Sequence, residues 1–194
     1  MFNSAVKRGL IITVLLTVVV SLSLAADEDQ KVLKRAGEWE KAAENREIAA
    51  ITQQAEAEEL LVESESLRKK GYTDEKERRS NYKKAGDKER NAAGLQEKAS
   101  SNFDMAANNW LNATKEYNKL KDKKNQVKAE EKEKSARMMH KLGLANALFA
   151  CRKAAYAYEK AAGAYGAQNA NDSRMEAAAS ERAAACREKL ARRK

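Results

Sequence analysis

The stretch AGDKERNAAGLQEKASSNFDMAANNWLNATKEYNKL, residues 85–120, decides the fold of this chain. Alanine recurs in it every seven residues, and a second series follows each alanine by four residues: Glu89, Gln96, Phe103, Trp110 and Tyr117. Positions that alternate in steps of four and three stay on the helix face that meets a partner helix, as in a coiled coil. The stretch therefore predicts a long helix with a narrow, alanine-lined seam.

The partner helix is predicted to lie just upstream, because the same repeat occurs there in mirror order about Gly71. Reflection pairs Ala57 with Ala85 and Ala50 with Ala92, and it also pairs larger residues: Val32 with Trp110, Trp39 with Phe103, Arg46 with Gln96 and Leu60 with Tyr82. We interpret the mirror as an antiparallel hairpin folded at Gly71. The predicted seam comprises Ala43, Ala50, Ala57, Ala85, Ala92, Ala99, Trp39, Phe103 and Trp110. Two chains paired symmetrically would use the same heptads, so a seam between copies remains an alternative.

The composition is typical of a chain made almost wholly of helix. The chain has no proline among its 194 residues, and 35% of them are charged. Proline breaks helix interiors, and sequences rich in Ala, Glu, Lys and Arg form long helices. We therefore predict an all-α fold, an elongated antiparallel bundle of three long helices and a shorter fourth, at about residues 27–70, 73–120, 124–165 and 172–192.

Short segments are predicted to reverse the chain between these helices. Gly71 offers the permissive residue that often ends a helix, and Thr73 is predicted to cap the second helix. The charged run 119–125 is predicted as a turn, because a helix continuing through it would leave the next apolar stripe without a partner. That stripe consists of Leu144, Leu148, Cys151, Ala155, Tyr158, Ala162 and Tyr165.

Residues 1–26 are predicted to be a targeting segment. Lys7 and Arg8 precede an apolar run that ends near Leu24, and Ser23-Leu24-Ala25 offers small residues around a cleavage site. The pattern favours a cleaved signal peptide over an uncleaved membrane anchor, and either one exports the single domain at 27–194. The expected location is periplasmic, lumenal or secreted, with membrane anchorage if the leader is retained.

The two cysteines are predicted to form one disulfide. Folding the fourth helix back about the loop at 166–171 brings Cys151 opposite Cys186. Paired cysteines are typical of exported proteins, and closing a loop of about 35 residues would contribute roughly 3–4 kcal/mol in the chain-entropy model. The alternative is two buried, reduced thiols.

The sequence contains no motif that predicts catalysis, a cofactor or a metal. His140 is the single histidine, and no group of His, Cys and carboxylate residues has metal-ligand spacing around it. Glycine-rich phosphate loops and serine-nucleophile motifs are missing as well. We expect His140 to be an ordinary helix-face residue and the protein to be no enzyme.

The formal net charge of +9 leaves several interaction classes open. Most charges alternate in sign, which is typical of a solvated helix face. Two basic patches stand out: Lys119, Lys121, Lys123 and Lys124 at the predicted turn, and Arg192, Arg193 and Lys194 at the C-terminus. The first is predicted to lie at the same end as Asp27, and thus near an anionic membrane if the leader is kept.

These observations favour a non-catalytic structural or interaction protein: a scaffold, a spacer or an accessory subunit of an envelope or lumenal membrane complex. The expected partners are proteins, with an anionic membrane surface and self-association as further options, and nucleic acid is not expected. The alternatives are a basic periplasmic chaperone of the holdase type and a polyanion-binding helical protein.

Overall fold

A computed structural model shows three long helices. It describes the backbone of residues 4–164 and of positions 177, 178, 180, 181, 184, 185 and 188, and the side chains of residues 27–162 and of those same isolated positions. Helix α1 spans Ser4–Lys69, α2 spans Glu75–Lys119 and α3 spans Lys123–Ala164. The described chain is helical outside the two turns, which confirms the predicted all-α class and the three long helices.

The first helix differs from the prediction at its start. It begins at Ser4 rather than near Asp27, because no proline separates the predicted targeting segment from the residues that follow. The side chains of residues 1–26 lie outside the described part of the chain. In the part that is described, no helix is long and apolar enough to cross a membrane.

Helix α2 is the centre of the bundle. It packs along its length against both α1 and α3, while α1 and α3 contact each other directly at only a few positions. Each connecting turn is short, so neighbouring helices are antiparallel and the two outer helices run parallel. The core is therefore two long seams that share one central helix.

The alanine seam is confirmed as the core. Every seam alanine is fully buried, with no accessible surface: Ala36, Ala43, Ala50, Ala57, Ala85, Ala92, Ala99, Ala106 and Ala113. Phe103 and Trp110 are 3% and 1% exposed, as predicted, and Tyr117 is buried with them. On α3, the predicted stripe is buried at Cys151, Ala155, Tyr158 and Ala162, while Tyr165 lies outside the described residues.

The predicted register of the hairpin is wrong by one heptad. Ala50 shares a core cluster with Ala99, and Ala57 shares one with Ala92. The reflection about Gly71 had instead paired Ala50 with Ala92 and Ala57 with Ala85. A shift of seven residues places alanine opposite alanine again, so the repeat alone does not distinguish the two registers.

The large residues follow the shifted register. Trp110 bonds to Glu47 rather than packing on Val32, Arg46 bonds to Asn102 rather than meeting Gln96, and Tyr82 packs on the α3 cluster of Ala161 and Ala162 rather than on Leu60. Trp39, predicted in the seam opposite Phe103, is 38% exposed. The shifted register places Trp110 level with Trp39, and of these two indoles only that of Trp110 is buried.

The turn between α1 and α2 is capped by Asp74 and not by Thr73. The Asp74 carboxylate accepts the backbone N–H of Glu77 at 2.7 Å, and the Glu77 carboxylate accepts the backbone N–H and the hydroxyl of Thr73, both at 3.0 Å. This reciprocal pattern is a capping box moved along by one residue. Gly71 lies in the turn as predicted, but it has no positive φ.

The turn between α2 and α3 confirms the predicted break in the charged run. Lys121 has a φ of 56°, its N–H donates to Asn118 O at 3.1 Å, and the N–H of Asp122 donates to Tyr117 O at 3.1 Å. These two bonds form a Schellman motif, the usual way to end a helix with a left-handed residue. Asp122 then caps α3 by accepting the Asn125 N–H at 3.2 Å.

The predicted fourth helix, at about 172–192, falls mostly on residues outside the described part of the chain. Cys186 is among them, so its predicted disulfide with Cys151 stays a prediction. Cys151 itself is 4% exposed and belongs to the core cluster of Ala57 and Ala92.

Candidate interaction surfaces

One buried carboxylate joins all three helices. Glu89 of α2 is fully buried and accepts Ser64 Oγ at 3.0 Å and Arg68 Nη2 at 2.7 Å. Arg68 Nη2 also donates to the carbonyl oxygen of Lys153 on α3 at 3.0 Å. Burial raises the pKa of Glu89 above its usual range, although the guanidinium of Arg68 opposes that shift. The Glu89 carboxylate is closed off from solvent whereas Arg68 is 21% exposed, and the contacts between them serve to align the helices.

The single histidine packs against a serine without forming a nucleophile. His140 Nδ1 lies 2.9 Å from Ser100 Oγ and 3.0 Å from the Ser100 carbonyl, while Ser100 Oγ donates to His140 O at 3.0 Å. Ser100 Oγ therefore has both the imidazole and a backbone carbonyl as hydrogen-bond partners inside the α2–α3 interface. Ser100 is 1% exposed, which keeps substrates away from it. Among the described residues, no three His, Cys, Asp or Glu side chains are grouped to hold a metal ion.

The aromatic residues that α2 contributes to the seam, Phe103, Trp110 and Tyr117, are core residues. Trp110 Nε1 donates to Glu47 at 2.8 Å, and the ring is 1% exposed. Burial, with the nearby Glu40 carboxylate, raises the pKa of Tyr117 to about 12. Buried rings with satisfied polar atoms stabilise the bundle and offer no platform to a ligand.

The predicted basic patch at the α2–α3 turn lies among acidic groups. Lys119 pairs with Glu116 at 2.7 Å, and Glu116 lies 4.0 Å from Arg35 of α1, so the turn is at the level where α1 passes from Asp27 to Arg35. Lys31 pairs there with Asp27 at 2.7 Å. Lys121, Lys123 and Lys124 are at this turn, whereas Arg192, Arg193 and Lys194 lie outside the described residues.

A stronger basic surface lies at the opposite end and was missed by the sequence analysis. We define the hairpin end as residues 68–84, in which eight basic residues outnumber three acidic ones. The Arg78 guanidinium lies 5.5 Å from the Tyr72 ring and 5.9 Å from the Tyr82 ring. Four of its lysines have no ion-pair partner among the described residues: Lys70, Lys76, Lys83 and Lys84. The local excess of Lys and Arg around Gly71 was the signal that could have identified it.

A second surface was also missed, on the side where α1 and α3 run next to each other. We define the α1–α3 face by its exposed apolar residues: Ile48, Ile51 and Val62 on α1, and Met138, Leu142, Phe149 and Tyr156 on α3. All of them are between 48% and 69% exposed. Leu142, Phe149 and Tyr156 are each one heptad apart, a spacing that could have revealed a second stripe on α3.

No protein-family model, curated protein or solved structure matches this chain.

Proposed function

We propose that the protein is an exported, non-catalytic helical scaffold or spacer that serves as an accessory subunit of an envelope or lumenal membrane complex. The observation that carries this proposal is the continuous seam. Core clusters occupy successive levels from Ala36 to Ala162, with buried polar residues such as Glu89 and Gln96 between them, so the three helices pack together along their described length. At 1.5 Å per residue, the 45-residue α2 alone extends for roughly 65 Å.

The two ends of the rod support different tasks. The α1 end carries the predicted leader, and the hairpin end carries the cations and tyrosines that surround Arg78. A rod that holds an interaction surface roughly 65 Å from its leader is suited to bridge a membrane and a partner. Rigid alanine packing would keep that distance fixed, since close-packed interiors resist compression.

Affinity capture of the native protein from its own membrane fraction, followed by mass spectrometry, tests this function. A stoichiometric membrane complex is the expected result. Capture of many unrelated envelope proteins, released by an added unfolded client, would instead favour the holdase. Recovery of the protein without a membrane partner would contradict the subunit role and leave the spacer role alone.

The hairpin end favours polyanion binding as a second candidate function. Arginine and lysine beside the exposed Tyr72 ring are suited to anionic polymers, because the cations attract the negative charges while the ring supplies contact area. Such binding weakens steeply with salt, since it depends on the release of counterions.

Binding to dextran sulfate at several salt concentrations tests the second candidate with a matched pair of variants. Lys83→Glu with Lys84→Glu reverses two charges at the hairpin end, and Lys123→Glu with Lys124→Glu reverses two at the opposite end. We expect the first pair to reduce affinity at least tenfold more than the second. Equal losses would indicate that only net charge matters. If Lys123→Glu with Lys124→Glu abolished binding to anionic vesicles and the hairpin-end pair did not, the result would favour a membrane contact at the α2–α3 turn.

A further inference from the structure

We propose that the α1–α3 face binds a second copy of this chain, side by side, in a two-fold symmetric dimer. The face is apolar, exposed and periodic, and its charges fit those of the same face on another copy. This inference is independent of the function proposed above, because it concerns the side of the rod and not its ends.

The two outer helices are aligned so that their apolar residues form layers. Ala36 and Ala43 share a core cluster with Ala129 and Ala136, and each of these pairs is 93 residues apart. Because α1 and α3 run parallel, residues with this separation lie at the same level. Ile48 is therefore nearly level with Leu142, and Val62 is nearly level with Tyr156. Each of these pairs is 94 residues apart, one more than the separation of 93.

Direct contacts place Tyr156 on the side of α3 that borders α1, and Phe149 and Leu142 share its heptad position. Arg68 of α1 donates to the Lys153 carbonyl, and its guanidinium lies 5.6 Å from the Tyr156 ring, so the Tyr156 side of α3 borders α1. On α1, Leu61 packs on the cluster that contains Ala150 and Ala154 of α3. Val62 is the next residue after Leu61, so its side chain is rotated by about 100° about the helix axis and lies on the solvent side of this contact.

The charges along the face identify the occupant. On α1, Glu44, Glu58 and Glu65 repeat at the heptad position of Ile51. On α3, Arg152 repeats the heptad position of Met138, and the ammonium groups of Lys153 and Lys160 lie 5.2 Å from the Phe149 ring and 5.4 Å from the Tyr156 ring. Each copy therefore offers an acidic wall on α1 and a basic wall on α3. A two-fold axis places the acidic wall of each copy against the basic wall of the other, which is the arrangement of an isologous interface.

The size of the face is sufficient for a dimer. From Met138 to Tyr156 it extends for about 27 Å along α3, and two adjacent helices make it roughly 20 Å wide. A dimer would bury on the order of 1,100 Å² in total, which is above the value of about 1,000 Å² that separates specific interfaces from incidental contacts. Large exposed apolar patches of this kind mark association sites.

Sedimentation equilibrium of the full chain over a hundredfold range of concentration tests the dimer. The expected species at high concentration has twice the monomer mass. Phe149→Ser with Tyr156→Ser should raise the dimer dissociation constant at least tenfold, whereas Val127→Ser should leave it unchanged. Val127 is a matched control because it is on α3 and 52% exposed but lies outside the face. Circular dichroism should show equal helix content in all three proteins.

A second set of variants, in which charges are reversed, tests the dimer even if the serine variant loses helix content. Glu44→Lys with Glu58→Lys reverses the acidic wall, and Arg152→Glu with Lys160→Glu reverses the basic wall. Each pair alone should weaken the dimer, and all four changes together should restore it, since the walls are again complementary. A monomer at every concentration, a dimer insensitive to the serine changes, or no recovery in the fourfold variant would overturn the proposal.

Discussion

The two interfaces of α2 are built on different principles. Against α1, large polar side chains are buried between alanine layers, and each has a specific partner: Glu89 with Arg68 and Ser64, Asn102 with Arg46 and Gln53, and Trp110 with Glu47. Against α3, contact relies on small residues. A Cβ added at Gly143 would lie 3.0 Å from Ser100 Cβ, and one added at Gly86 would lie 2.7 Å from the Tyr158 ring.

The difference shows how each interface selects its register. The α1–α2 repeat of alanines fits equally well after a shift of seven residues, so its unique polar contacts must choose between the registers. The α2–α3 interface is selected by shape, because the missing side chain at Gly86 admits the ring of Tyr158. Polar pairing and close packing thus perform the same task at the two interfaces of one helix.

Engineered disulfides should give an all-or-none answer on the α1–α2 register. Ala50→Cys with Ala99→Cys places two thiols in one core layer, whereas Ala50→Cys with Ala92→Cys places them a heptad apart. Seven residues of helix extend for about 10 Å, which is beyond the reach of a disulfide. Oxidation followed by peptide mapping should find the 50–99 bond and no 50–92 bond. The opposite outcome would restore the register that mirrors about Gly71.

Loss of Arg68 should cause the largest change in stability. Arg68→Ala leaves the Glu89 carboxylate buried without its cation, and breaking a buried pair in this way typically costs about 3–5 kcal/mol. Urea unfolding at neutral pH measures the loss. Arg90→Ala, an exposed change on α2, serves as the control and should cost less than about 0.5 kcal/mol. Similar losses in the two variants would show that the polar contact does not hold the interface.

The pH dependence of this variant provides a second check. Glu89 has a folded-state pKa above the ordinary 4.5, so the folded protein holds this proton more tightly than the unfolded chain does. Its contribution to stability is therefore present below about pH 4.5 and is lost as pH rises through the raised pKa. Without Arg68 the pKa should rise further. We expect the cost of Arg68→Ala to be greater at pH 7.5 than at pH 5, and a constant cost would contradict a buried carboxylate.

The sequence predicts the period of this fold better than it predicts its register. Helical heptads and the absence of proline are local properties, so the three helices and their alanine faces follow from them directly. Register depends on which of several equivalent layers meet. Glu89 occupies a seam position in the pattern, but nothing local indicates that its partner is Arg68 rather than Leu60 or Arg46.

The candidate surfaces were harder to predict for a related reason. The hairpin end combines residues close in sequence, so its basic excess could have been counted around Gly71. The α1–α3 face depends on two segments about 93 residues apart, and their alignment requires both registers of α2. That Ile48 and Leu142 lie at the same height along the bundle follows only when the registers of α1 on α2 and of α2 on α3 are both known.

Gly86→Ala should show that the α2–α3 interface is selected by shape. The new Cβ would lie 2.7 Å from Tyr158 Cε1, and Tyr158 is fully buried with its hydroxyl donating to Asp87 at 2.8 Å. Overpacking of this kind costs about 1–3 kcal/mol. Gly94→Ala is the control on the same helix, since its Cβ would meet nothing within 4 Å, and it should stabilise by about 0.5–1 kcal/mol. Equal changes in melting temperature in Gly86→Ala and Gly94→Ala would contradict the close contact between Gly86 and Tyr158.

The smallest expected effect concerns the turns that lead into the two interfaces. The left-handed residue is Lys121 in the α2–α3 turn, whereas Gly71 in the α1–α2 turn has no positive φ and open space at its Cβ position. Left-handed backbone is costly for a residue with a side chain, so Lys121→Gly should stabilise by about 0.5–1 kcal/mol. Gly71→Ala should do so by a similar amount for a different reason, since it restricts the unfolded chain. Chemical denaturation of both variants measures these gains. If Gly71→Ala destabilised the protein while Lys121→Gly had no effect, the first turn would be the one that requires a glycine, and the sequence-based assignment of the helix stop to Gly71 would be restored.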